Sequence, residues 1–120
     1  MSMSHSTSNE EAHLDGPILA ELEEIMEDDF GVLLEAYIDD ASQKIELLDG
    51  ALEAHDAPAI RELSHSLKGA SSNIGALPLS QLFETVEHLA KDENVSEIVP
   101  LLAGIQTEFT TIRALLEAKL

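Results

Sequence analysis

From Phe30 to Leu52 the apolar residues recur at intervals of three and four: Phe30, Leu33, Leu34, Tyr37, Ile38, Ala41, Ile45, Leu48 and Leu52. That spacing gathers them on one side of an α-helix of about six turns. No run of alternating β-branched residues competes with it anywhere in the chain. The same period continues on both sides of this stretch. Ile18, Leu19, Leu22, Ile25 and Met26 mark a short first helix, opened by Asp15-Gly16-Pro17 with the aspartate as cap. Asp28-Asp29 should cap the long helix. Asp56, ahead of Pro58, should cap the next, which ends where Gly75 suits the left-handed position. Leu77-Pro78 starts another helix, with Leu79, Leu82, Phe83, Val86, Leu89 and Ala90 as its core side. Ile98, Leu101, Leu102, Ile105, Phe109, Ile112 and Leu116 form the last, with Pro100 near its start or kinking it. The expected fold is all-α: an antiparallel up-down four-helix bundle with a short additional N-terminal helix, over residues 15–120. Residues 1–14 are polar and aperiodic and are expected to form a mobile tail.

Composition narrows the function. A chain of 120 residues is one domain, and with three Phe, one Tyr and no Trp its core must be aliphatic. Without cysteine there are neither disulfides nor thiolate metal sites. The first five residues have no signal-peptide pattern and no apolar run is long enough to span a bilayer, so a cytoplasmic monomer is expected. A net charge of −18 disfavours nucleic acid and anionic membranes as partners. The charge is also uneven. Sixteen of the 24 carboxylates lie between Glu10 and Asp56, and none lies from Leu63 to Gln81. Two of the six basic residues, Arg61 and Lys68, fall within about one turn of His65 in that window.

On a helical wheel Ile60, Leu63, Leu67, Ala70 and Ile74 share an arc of about 80°, and His65 points away from its middle. Gly69, Ser72, Lys68 and Arg61 surround the histidine on the polar side. An interior helical glycine costs about 1 kcal/mol relative to alanine, so Gly69 calls for a reason such as close approach by another molecule. An exposed imidazole titrates near 6.5 and offers a neutral nitrogen nucleophile at pH 7. A lysine at i+3 could neutralise an anion carried there, and the anion that would need it is a phosphoryl group. Arg61, Ser64, Gly69 and Ser72 are the candidate partner contacts. His5, His13, His55 and His88 lack such surroundings and are expected to be ordinary surface residues.

His65-Ser66-Leu67-Lys68-Gly69, followed by Gly75-Ala76, resembles the signature of histidine-containing phosphotransfer (HPt) domains: H-x-L-K-G, five residues, then G-A. The flanking pattern is similar from Asp15 to Leu120. The resemblance implies that His65 accepts a phosphoryl group from a receiver-domain aspartyl phosphate and passes it to another receiver aspartate, with Lys68 stabilising the phosphohistidine. It implies two partners, the receiver domains of a hybrid sensor histidine kinase and of a response regulator. Mg²⁺ is expected in the receiver, with no cofactor held by this chain. No nucleotide-binding loop or kinase motif is present, so the chain should be an intermediary rather than a kinase. Two departures stand out: Ser64, where the family often has alanine, and Glu87, where several members place a glutamine near the phosphoryl group. A carboxylate there should repel phosphate, and the family's role is not carried over to it. Two other readings compete. One is a non-catalytic interaction module with a vestigial histidine. The other is a metal-binding bundle using Glu62-x-x-His65, which would need inward-facing ligands and a second such pair on another core helix.

Overall fold

The computed structural model describes residues 10–120. It contains α1 (Gly16–Met26), a 3₁₀ turn (Glu27–Asp29), α2 (Phe30–Glu53), α3 (Ala57–Asn73), α4 (Leu77–Lys91) and α5 (Val95–Glu117). Helices α2 to α5 pack in a ring, each on the next and α5 back on α2. Cross-contacts fix the directions. Tyr37 meets Ser71 while Lys44 meets Ser66, and Lys68 meets Glu87 while Ser72 meets Ser80. In both pairs of helices one number rises as the other falls, so α3 runs antiparallel to α2 and to α4.

The three connections within the ring are built alike. Each is three residues long and has a left-handed residue in the middle: His55 (φ 52°), Gly75 (φ 81°) and Glu93 (φ 59°). The next amide then reaches back to the last turn of the helix: Asp56 N to Ala51 O, Ala76 N to Ser71 O and Asn94 N to Leu89 O. These are Schellman closures, which satisfy carbonyls that a helix end would otherwise leave bare. Gly75 suits its place for a second reason. A Cβ there would lie 3.1 Å from the Asp15 carbonyl oxygen, and the Asp15 amide donates to the Gly75 carbonyl at 2.8 Å. The turn between α3 and α4 thus anchors the start of α1.

Asp15 caps α1 by accepting from the Ile18 amide at 3.0 Å, and Asp56 caps α3 by accepting from Ala59 at 3.2 Å. Asp28 and Asp29 do not cap α2. They sit in the 3₁₀ turn, and Asp29 already has helical angles, so its side chain makes no capping bond. Pro100 lies inside α5 in its second turn, and the helix continues through it.

The core is mainly Leu, Ile and Val, joined by Phe30, Tyr37, Phe83 and Phe109. Residues 10–14 belong to the folded body rather than to a mobile tail. Leu14 is among the most deeply buried side chains, and Glu10 and His13 pair with Lys119 and Glu108, each at 2.7 Å. One leucine has no periodicity to read, so this docking leaves no sign at the level of sequence. His13 is accordingly half-buried rather than an ordinary surface residue, whereas His55 and His88 are exposed. His5 and the rest of the expected tail, residues 1–9, lie outside the described residues.

Candidate functional site

On α3 the fully buried positions are Ile60, Ser64, Leu67 and Ser71, with Ile74 beyond the helix end; Leu63 and Ala70 only flank them. The core face is therefore turned by about 40° from the purely apolar arc. Two serines go inside because their hydroxyls find partners there. Ser64 Oγ donates to Ile60 O at 2.7 Å, and Ser71 Oγ pairs with Tyr37 Oη at 2.8 Å. Burial pushes the Tyr37 phenol up to about 12, with the Ser71 bond acting in the opposite direction. This corrects one expectation. Ser64 is 0% exposed and cannot touch a partner. Ser72 is half-buried and serves the α3–α4 contact: it donates to Ser80 Oγ at 2.7 Å, because the Ser80 proton goes to Lys68 O at 3.0 Å.

The same turn of α3 tilts His65 toward α4, where Glu87 waits. His65 Nδ1 lies 2.8 Å from Glu87 Oε2, and Lys68 Nζ lies 2.7 Å from Glu87 Oε1. The imidazole stays 69% exposed, whereas Lys68 and Glu87 are 30% and 21% exposed. The hydrogen bond from Lys68 holds the Glu87 carboxyl below its ordinary range, with the His65 bond adding to it. In return the bond to Glu87 raises the Lys68 ammonium. Glu87 is thus ionised near neutral pH, and a carboxylate can only accept. The proton of the neutral imidazole must then sit on Nδ1. Nε2 keeps its lone pair and has no partner among the described residues.

Gly69 is exposed, and a Cβ on it would meet nothing within 4 Å, so no neighbour in the chain requires the glycine. Gly50 and Gly104 are equally open; what distinguishes Gly69 is its position one turn beyond His65. Arg61 is exposed and lines an open cleft with Pro58, Glu62, His65 and Glu87. Glu62 and His65 do not form an inward-facing ligand pair, since both are exposed and the His65 ring nitrogen is engaged by Glu87.

Two kinds of comparison bear on this arrangement. The family model for the Hpt domain matches residues 32–118, a span that holds α3, α4 and every residue of the His65–Glu87–Lys68 cluster. The chain belongs to the Hpt domain family. A crystal structure of histidine-containing phosphotransfer protein B from Pseudomonas aeruginosa PAO1 superposes with a TM-score of 0.87 at 36% identity, covering 89% of this chain and 93% of that one. The histidine-containing phosphotransfer protein ZmHP2 from maize shares the fold, with a TM-score of 0.83 at 21% identity over 95% and 94% of the two chains. No curated relative matches in sequence. As an Hpt protein the chain is a phosphorelay intermediate of two-component signalling, a class that exchanges phosphoryl groups with receiver domains. Among the described residues no helix is long and apolar enough to cross a membrane.

Proposed function

We propose that His65 carries the phosphoryl group of this Hpt protein, and that Nε2 is the atom that takes it. The observation behind this is the 2.8 Å contact that commits Nδ1 to Glu87. The Nε2 lone pair attacks the phosphorus of a receiver aspartyl phosphate in line. The N–P bond forms as the P–O bond to the aspartate breaks, and the electron pair leaves with the carboxylate. The ring becomes positive as Nε2 is phosphorylated, and the Nδ1–H bond to the Glu87 carboxylate stabilises that charge. Such a transfer depends mostly on positioning and charge neutralisation, so one nucleophile with one cation suffices on this side of the reaction. Lys68 is the cation. It leaves Glu87, or shares it, to meet the new phosphoryl oxygens.

The partners are the receiver domains of a hybrid sensor histidine kinase and of a response regulator. The receiver brings the acidic pocket and Mg²⁺, which neutralises phosphoryl oxygens. This chain acts as a monomer in the cytoplasm, without kinase activity of its own. Hydrolysis of nucleotide is not part of the reading, because no segment of the sequence resembles a phosphate-binding loop.

The test is incubation with a phosphorylated receiver domain, comparing wild type with His65→Gln. The wild type should gain an acid-labile, base-stable label, and the variant should stay folded, because the position is exposed, and gain none. Undiminished labelling of the variant would refute the assignment.

A further inference from the structure

Six basic residues share this chain with 24 carboxylates, and most are answered at close range. Lys44 lies 3.0 Å from Asp40, Lys68 2.7 Å from Glu87, Arg113 3.4 Å from Glu117 and Lys119 2.7 Å from Glu10. Arg61 and Lys91 make no ion pair among the described residues. The reasons are local. The residues one turn from Arg61 are Ala57, Pro58, Ser64 and His65, none of them acidic. Lys91 has Glu87 one turn back, but both oxygens of that carboxylate are engaged by Lys68 and His65.

In so acidic a chain two unanswered cations are exceptions, and these two are not scattered. Arg61 and Lys91 line one polar groove of about 220 Å³ between α3 and α4, together with Lys68, Glu84, Glu87 and His88. Arg61 and Glu87 also line the cleft at His65, so groove and cleft are one surface. Water would solvate a lone cation equally well anywhere on the molecule. It does not account for both lying in one groove that adjoins the cleft of the nucleophile.

We propose that Arg61 and Lys91 are docking cations, which pair with carboxylates on the receiver domain's surface outside that domain's own phosphorylation pocket. This rests on the reading of His65 as the phosphoryl carrier and adds the chemistry of its partner. It also fixes a side: the receiver's acidic rim lies over the α3–α4 groove. Charges at the edge of an interface act mainly on encounter and orientation, and their effect weakens with salt. Reversing both should therefore weaken docking more than it slows the chemical step.

The experiment measures single-turnover transfer from isolated receiver domains charged with acetyl phosphate, using the one that transfers fastest to wild type. The variants are Arg61→Glu/Lys91→Glu, and Arg113→Glu as a control for net charge on a distant helix. The half-saturating receiver concentration should rise about tenfold or more in the double variant at low salt, with the maximal rate within about threefold of wild type. The gap should narrow as ionic strength rises from about 0.02 to 0.5 M. Labelling by phosphoramidate, which presents no protein surface, should change less than about threefold, and Arg113→Glu should track wild type. Equal losses with receiver and phosphoramidate would place the two cations on the phosphoryl group itself and overturn the proposal. So would an unchanged half-saturating concentration, or an equal rise in Arg113→Glu. If wild type accepts phosphate at His65 from neither donor, the carrier reading itself fails, and the proposal falls with it.

Discussion

Two glycines in one signature do opposite things. Gly69 has helical geometry and open space around it, so alanine there should stabilise the fold by up to about 1 kcal/mol. Gly75 has a φ of 81° and the backbone of Asp15 against it, so alanine there should destabilise by about 1–3 kcal/mol. Thermal melts of Gly69→Ala and Gly75→Ala should move in opposite directions; a shift of the same sign in both would contradict the assigned geometries. The cost of Gly69 could be read from sequence because it follows from helix propensity alone. The role of Glu87 could not, since charge considered by itself suggests only repulsion of phosphate. The structure shows that carboxylate meeting a lysine and an imidazole before any phosphate arrives. One signal was present in the sequence. Folding a helical hairpin about Gly75 brings the first carboxylates after the carboxylate-free window, Glu84 and Glu87, opposite Lys68. Once His65 is phosphorylated, the Glu87 charge should favour the positively charged ring by about 1 kcal/mol, or about fivefold. Glu87→Gln should therefore shorten the half-life of the phosphorylated protein about fivefold, because the amide carbonyl can still accept from Nδ1 but lacks the charge. An unchanged half-life would mean that the carboxylate does not act on the phosphorylated ring.

Among the elements, the helices were legible and the details of their ends were less so. Period and proline positions give α1 to α5, because burying one face of each helix is what organises a bundle. The left-handed turns at His55 and Glu93 were hidden, since only Gly75 of the three announces its conformation by residue type. The buried faces of Ser64 and Ser71 were hidden too. A serine reads as polar until a carbonyl or a tyrosine is found to receive its proton. The turns lead to a test. Glu93 holds a φ of 59° at about 1–2 kcal/mol, and glycine would adopt it freely at some cost in unfolded-chain entropy. Glu93→Gly should raise stability by up to about 1 kcal/mol in denaturant melts. A clear loss would show that the Glu93 side chain contributes more than its backbone strain costs.

At the scale of the whole molecule, charge is divided between an acidic body and a site where three of the six basic residues collect. The Lys68–Glu87 pair ties the site to stability in a pH-dependent way. Glu87 is held below its ordinary value of 4.5, so its contribution is complete above that pH and is lost as pH falls through the lowered folded value. Lys68 is held above its ordinary 10.5, so its contribution is complete below that pH and is lost as pH rises through the raised folded value. The difference in melting temperature between wild type and Glu87→Gln should thus be flat between these limits and shrink below pH 4.5 and above 10.5. A difference that persists unchanged into acid would show that the pair does not stabilise the fold. On the proposed function the bundle presents one nitrogen of one histidine, and that nitrogen can be identified directly. Nitrogen-15 NMR of the unmodified protein should show the His65 proton on Nδ1, and phosphorus coupling after transfer from a charged receiver should appear at Nε2. A proton on Nε2 before transfer, or phosphorus on Nδ1 or on any other residue afterwards, would contradict the assignment.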